Sequence, residues 1–83
     1  MIDITITKDD YGDYKANYTK IFENNDFVEI VGSLKKYHTG RDFEYYFEPS
    51  WFADESEENY YNENESEIEK QILDKFYSVI NNL

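Results

Sequence analysis

The 83-residue chain lacks cysteine and has only one proline, one histidine and three glycines. Without cysteine it can form no disulfide, no thiolate nucleophile and no cysteine-type zinc site. No run approaches the ~18 consecutive apolar residues of a membrane-spanning helix, and the first residues lack the basic and apolar order of a secretory signal. We therefore expect a cytoplasmic protein that folds on its hydrophobic core alone.

Basic residues are also scarce, because 8 lysines and arginines face 19 acidic residues, for a formal net charge of −11. Nucleic acids and acidic membranes attract basic surfaces, so neither is an expected direct partner. The expected partner is instead a basic, nucleic-acid-binding protein. Aromatic residues make up 19% of the chain, which argues against disorder. The length predicts a single domain over residues 1–83.

The negative charge is concentrated in one part of the chain. Residues 42–74 hold twelve acidic residues and one basic residue, whereas residues 1–41 are nearly neutral. Such asymmetry along a short chain indicates an interaction surface.

The first half of the chain predicts four antiparallel strands. Ile2, Ile4 and Ile6 alternate with polar residues, which is the period of a half-buried strand. Further strands are predicted at 14–22, 27–37 and 43–47, separated by turn residues at 9–13, 24–26 and 38–41. Gly32 could mark a bulge, and Pro49 a break between two structural halves. The segment 11–24 also fits helical spacing, which leaves a β-α-β-β-α order as an alternative.

An amphipathic helix is predicted at the C-terminus, from residue 63 to residue 83. Two sequences resemble helix N-caps, Asn62-Glu63-Asn64-Glu65 and Ser66-Glu67-Ile68-Glu69. The apolar stripe consists of Ile68, Ile72, Leu73, Phe76, Val79, Ile80 and Leu83. This stripe must cover one face of the sheet. The predicted fold is α+β, with a β-meander at 1–48, an acidic and aromatic connection at 49–62, and the helix at 63–83.

No residue pattern predicts catalysis. His38 is the only histidine and lies in a predicted turn, where nothing in the sequence positions a nucleophile beside it. The acidic segment 54–59 lacks the alternating ligands and central glycine of a calcium-binding EF-hand loop. We therefore expect no enzymatic activity, no metal and no cofactor.

The acidic residues themselves are the candidate binding site. In the fourth predicted strand Phe43, Tyr45 and Phe47 face one way, and Asp42, Glu44, Tyr46 and Glu48 face the other. Tyr60 and Tyr61 lie within the following acidic run, and aromatic side chains among charges are typical of binding hot spots. The predicted partner-binding residues are Asp42, Glu44, Glu48, Asp54, Glu55, Glu57, Glu58, Tyr60, Tyr61, Glu63, Glu65, Glu67 and Glu69.

One stretch resembles a known family. Residues 62–66 (Asn-Glu-Asn-Glu-Ser), followed by Ile68-Glu69-Lys70 and an amphipathic helix, are similar to a segment of an anti-CRISPR inhibitor of Cas9. The whole chain resembles the small acidic proteins, anti-CRISPR and anti-restriction inhibitors, with which phages evade host defence by mimicking DNA. The resemblance implies that acidic residues between 54 and 69 fill the site that reads the PAM duplex, in the cytoplasm of the host cell.

Two other functions fit the same sequence. An immunity protein or antitoxin that neutralises a basic toxin nuclease would also be small and acidic. A plain protein-interaction domain could bind through its sheet edge and use the acidic residues only for solubility.

Overall fold

A computed structural model describes residues 1–81 and contains a four-stranded antiparallel sheet followed by one helix. The elements are β1 (Ile2–Lys8), β2 (Tyr14–Ile21), β3 (Phe27–Thr39), β4 (Asp42–Phe52) and α1 (Glu55–Asn81). The strands are ordered β1-β2-β3-β4, so the sheet is a meander. The α+β prediction is confirmed, and the alternative with an early helix is wrong because residues 14–21 form a strand.

Short polar turns join the strands. Between β1 and β2, the Asp9 carboxylate accepts the backbone N–H groups of Tyr11 and Asp13, each at 2.9 Å. Between β3 and β4, Gly40 has a positive φ of 66°, a conformation that glycine adopts without a steric penalty. These local turn conformations bring each strand back beside its predecessor.

The two faces of the sheet differ because successive side chains of a strand point to opposite sides. The covered face lies under α1 and includes Ile4, Ile6, Tyr14, Ala16, Tyr18, Ile30, Gly32, Leu34, Tyr45, Phe47 and Phe52. The open face is the opposite side and includes Asp3, Thr5, Lys15, Asn17, Glu29, Val31, Lys35, Tyr37, Asp42, Glu44, Tyr46, Glu48 and Trp51.

A β-bulge interrupts the pairing of β3 and β4. Gly32 pairs with Pro49 and Val31 pairs with Trp51, so Ser50 is the extra residue. The bulge predicted at Gly32 is therefore confirmed. The predicted break at Pro49 is wrong, because the proline lies inside β4, an edge strand that tolerates the loss of one N–H donor.

The helix begins earlier than predicted. It starts at Glu55 rather than at residue 63, so the connection expected over 49–62 consists instead of the end of β4 and the first two turns of α1. Asp54 is the N-cap, and its Oδ1 accepts the backbone N–H of Glu57 at 3.0 Å and the Ser56 hydroxyl at 2.6 Å. An aspartate followed three residues later by glutamate is itself a cap sequence.

The cap-like sequence around residue 64 coincides with a kink inside α1. Asn64 has φ −124° and ψ 20°, which is not helical. Its side-chain amide donates to the carbonyl oxygen of Tyr60 at 2.9 Å, as asparagine does when it competes with the helical backbone. The cap-like sequence therefore does alter the local backbone, but it produces a kink within a helix rather than the start of one.

Beyond the kink, the predicted apolar stripe packs on the covered face. Ile68, Ile72 and Phe76 are fully buried. The Phe76 ring lies 4.9 Å from the ring of Tyr14 and 4.6 Å from that of Tyr45. Each of these burials contributes about 1.5–3 kcal/mol to folding. Leu83, the last predicted member of the stripe, lies outside the described residues.

Candidate partner-binding surface

The structure distributes the thirteen predicted binding residues over three places. Asp54, Glu55, Glu58, Glu63, Glu65, Glu67 and Glu69 lie at the start of α1 or along its outer sides. Asp42, Glu44 and Glu48 lie on the open face, on the other side of the sheet. Glu57, Tyr60 and Tyr61 point toward the protein interior. The acidic residues therefore form two separate surfaces.

The larger of these is the acidic helix surface, which we define as Glu55, Glu58, Glu63, Glu65, Glu67 and Glu69. All are exposed except Glu69, which is half-buried. Within residues 1–81 none of these carboxylates forms an ion pair. Glu55 and Glu58 lie in the first turn of α1, where the helix dipole stabilises negative charge. The surface therefore carries a dense charge that the protein itself leaves uncompensated.

Glu57, one of the predicted binding residues, does not lie on this surface. Its side chain is only 6% exposed, and its Oε2 accepts the backbone N–H of Glu29 at 2.8 Å. Ile30 pairs with Phe52, the last residue of β4, so the backbone of Glu29 lies just past the end of that strand. The carboxylate replaces the missing strand partner, since a buried N–H group without an acceptor is costly.

Tyr61 is likewise a core residue and not an exposed binding anchor. It is 4% exposed, and its ring lies 5.8 Å from that of Phe52 and 6.2 Å from that of Phe47. Burial, and then the nearby carboxylates of Glu65 and Glu69, raise the pKa of its hydroxyl to about 12. Helical spacing places it in line with Ile68 once the helix starts at residue 55.

Tyr60 is half-buried on a different flank of the helix from Tyr61, and its ring lies 5.8 Å from the ring of Phe22. The Lys20 ammonium lies 5.7 Å from the centre of the same ring. Burial, and then interactions with Tyr60 and Glu67, raise the pKa of Tyr18 to about 12. The negative potential of the helix therefore reaches tyrosines on both of its flanks.

The open face carries the second acidic surface, and the alternation predicted for β4 is confirmed for it. Phe47 is buried and Tyr45 is half-buried, whereas Glu44, Tyr46 and Glu48 are exposed on the other side. The hydroxyl of Tyr37 donates to the Glu44 carboxylate at 2.8 Å, and this bond raises the pKa of Tyr37.

Two exposed aromatic residues of the open face were missed as binding candidates. Trp51 is 52% exposed and Tyr46 is 40% exposed. The alternation of β4 already placed Tyr46 on the same side as Glu44 and Glu48, so the sequence pattern could have identified Tyr46 as a candidate. Trp51 gave no such signal, because only the bulge at Ser50 turns it to this face.

The structure also places His38 outside its predicted turn. It lies near the end of β3, exposed and paired with Phe43 across the hairpin. The two rings are 4.1 Å apart, and the Lys36 ammonium lies 4.0 Å from the centre of the Phe43 ring. The end of the β3–β4 hairpin therefore carries aromatic and basic side chains in contact with each other.

An open groove of about 1010 Å³ separates the start of α1 from the β2–β3 turn, and its lining includes Phe22, Phe27 and Asp54. Among residues 1–81, no group of three or more histidine, cysteine or acidic side chains is arranged to hold a metal ion. Over the same residues, α1 is too polar to cross a membrane.

No protein-family model, curated protein or solved structure matches the chain. Dense carboxylates on a fixed helix attract and orient a cationic partner.

Proposed function

We propose that this protein inhibits a nucleic-acid-binding defence enzyme, a CRISPR-Cas effector such as Cas9 or a restriction enzyme, by acidic mimicry of DNA. The acidic helix surface occupies the basic groove of the enzyme and blocks the binding of nucleic acid. The observation that carries the proposal is the group of exposed carboxylates on α1 that form no ion pair within residues 1–81, on a helix whose other side is packed against the sheet.

The charge density of the surface supports this proposal. The fourteen-residue separation of Glu55 and Glu69 spans about 21 Å along the helix, at about 1.5 Å per residue. One DNA strand carries about six phosphates over that length, at about 3.4 Å per phosphate. The acidic helix surface has six carboxylates in the same span, and helical spacing places four of them, Glu55, Glu58, Glu65 and Glu69, on one side of α1. These four carboxylates can bind basic side chains that would otherwise bind phosphates.

The burial of α1 also favours inhibition over simple solubility. An acidic tail could keep a protein soluble without being ordered, but here Tyr61, Ile68 and Ile72 fix the helix against the sheet. A partner that binds the carboxylates consequently has little conformational entropy to remove from the inhibitor. Association is expected to be fast and strongly weakened by salt.

The test is affinity capture from a nuclease-treated bacterial lysate with three forms of the protein. The wild type is compared with the variant E58Q/E65Q/E69Q and with the control D10N/D13N/E23Q, which removes the same charge from exposed turn residues. We expect the wild type and the control to retain a nucleic-acid enzyme at about 50 mM salt and to release it at higher salt. The helix variant should retain much less.

A second measurement uses the captured enzyme in purified form, loaded with its guide if it is a CRISPR-Cas effector. We expect the wild type to displace a labelled DNA duplex and the helix variant to fail. Capture that the helix variant leaves unchanged would contradict mimicry by α1. Capture of a dedicated toxin nuclease would instead assign the protein as an immunity protein.

A further inference from the structure

The open face presents aromatic side chains that neither the core nor the acidic helix surface uses. Trp51 and Tyr46 lie on the same side of β4 and are about half exposed. The ring of Tyr37, on the neighbouring strand, lies 5.6 Å from that of Tyr46. Large exposed aromatic residues grouped on one face of a small protein are typical of an interaction surface.

The charges on this face determine what kind of partner it fits. Glu48 stands between Tyr46 and Trp51 along β4, and Glu44 and Asp42 follow toward the hairpin. The whole open face holds five acidic residues and two lysines, namely Asp3, Glu29, Asp42, Glu44, Glu48, Lys15 and Lys35. Within residues 1–81 none of these carboxylates forms an ion pair. The face is therefore complementary to a cationic partner.

We propose that the open face docks an arginine-bearing extended segment of a partner protein. A guanidinium group pairs with a carboxylate through two parallel hydrogen bonds and also stacks on aromatic rings. An arginine that pairs with Glu48 has an aromatic side chain on either side of it along β4. Lysine offers a point charge without the planar group, so the surface discriminates between the two cations.

This surface is distinct from the acidic helix surface. The helix bears carboxylates on its outer sides, whereas the open-face residues of β4 from Asp42 to Glu48 follow each other at about 6.6–6.8 Å along the strand, with Trp51 after the bulge. Alternate side chains of an extended segment have the same spacing, so successive arginines can meet successive acidic or aromatic residues. The inference does not depend on the proposed inhibition of a defence enzyme.

The test is an NMR titration of the ¹⁵N-labelled full-length protein with two synthetic peptides. One peptide has the sequence Arg-Thr-Arg-Thr-Arg-Thr-Arg, and the other has lysine in place of each arginine. We expect saturable shifts of the Trp51 indole N–H and of the backbone amides at 42–51. We also expect the arginine peptide to bind at least about threefold more tightly than the lysine peptide.

Variants distinguish specific binding at the open face from unspecific electrostatic attraction to the protein. W51A and E48Q should each weaken the arginine peptide about fivefold or more, in line with the loss of a hot-spot residue. The helix variant E58Q/E65Q/E69Q removes more charge and should change the affinity less than about twofold. Trp51 and Glu48 are exposed, so both variants should fold, which circular dichroism verifies.

Three results would overturn the inference. Shifts confined to residues 55–69 would place the peptide on the helix. Equal affinities for the arginine and lysine peptides, with losses that follow only the charge removed, would mean unspecific attraction. No saturation up to about 5 mM peptide would mean that the open face is not an arginine site. None of these results bears on whether α1 inhibits a nucleic-acid enzyme, which the capture experiment tests separately.

Discussion

The two faces of the sheet are built from the same strands but differ in how deeply their side chains are buried. On the covered face Tyr18, Ile30 and Phe47 are at most 3% exposed, and their burial stabilises the fold. On the open face Trp51 and Tyr46 remain about half exposed. One packed face is therefore enough to hold a chain of this size together, and aromatic side chains of the other face stay exposed to solvent.

The helix repeats this division of roles along its circumference. One stripe, which includes Ile68, Ile72 and Phe76, is fully buried, while the outer sides carry carboxylates that form no ion pair with any residue the structure describes. Because like charges repel in the folded state, the buried stripe and the covered face must together offset this cost. The stability of the core thus limits how many like charges the acidic helix surface can carry.

The largest difference in stability is expected when one aromatic side chain is removed on each side of the sheet. Phe76→Ala should lower the free energy of unfolding by about 3–5 kcal/mol, because it opens a cavity between two aromatic rings. Trp51→Ala should lower it by less than about 1 kcal/mol, since the side chain is half exposed. Urea denaturation followed by circular dichroism measures both.

A loss of 3–5 kcal/mol could unfold a protein whose total stability is about 5–15 kcal/mol. Phe76→Leu keeps most of the buried volume and should therefore give an intermediate value in a fully folded protein. Equal losses for the substitutions at Phe76 and Trp51 would contradict the division between the two faces.

The next largest effect concerns the bulge that sets which residues reach the open face. A Cβ atom added at Gly32 would overlap the carbonyl oxygen of Glu48 and the ring of Phe47. Gly32→Ala should therefore cost about 1–3 kcal/mol. It should also alter the fluorescence of Trp51, the only tryptophan, because β4 must shift. Ser33→Ala, on the adjacent residue of the open face, is the control and should change neither quantity much.

A comparable effect is expected where the helix joins the sheet. Glu57→Ala removes the acceptor for the Glu29 N–H and should cost about 1–3 kcal/mol. Its neighbour Glu58 is exposed, so Glu58→Ala should leave stability nearly unchanged. Urea denaturation of the two variants compares a structural and a surface glutamate on the same helical turn. Similar losses for both would mean that Glu57 is a surface residue.

The last prediction concerns alkaline pH. The pKa of Tyr61 is raised from 10.0 to about 12 by burial and by nearby carboxylates. Its contribution to stability is fully present below pH 10 and is lost as the pH rises through 12, because the unfolded state releases the proton first. The absorbance of tyrosinate should show a late titration step, to which Tyr18 also contributes, and Tyr61→Phe should reduce the amplitude of that step. A Tyr61→Phe titration identical to that of the wild type would contradict the buried position.

Much of the architecture could be predicted from short-range patterns. The alternation of Ile2, Ile4 and Ile6 predicted a strand, and the spacing of Ile68, Ile72 and Phe76 predicted the buried side of a helix. Both patterns arise because a regular backbone repeats its side-chain directions. The start of the helix could not be predicted, because residues 54–57 and residues 62–66 are both good local caps and tertiary packing decided between them.

The candidate site was predicted less completely, for a related reason. Exposure of Glu58, Glu63 and Glu65 follows from their charge, but burial of Glu57 does not. Its carboxylate faces a backbone N–H of Glu29, 28 residues away in the chain, and no local pattern encodes that meeting. Which acidic residues contact a partner remains a prediction for the experiments above.

The strand and helix periods, the turns and the concentration of negative charge can be read from the sequence, because each depends on neighbouring residues. Which aromatic residues of β4 are buried depends instead on how the strands pair in the folded protein. Simple alternation beyond Phe47 would place Trp51 inside and Phe52 outside, but the bulge reverses them. The cause is the close contact between β3 and β4 at Gly32, where the absence of a side chain lets the two paired strands shift their register.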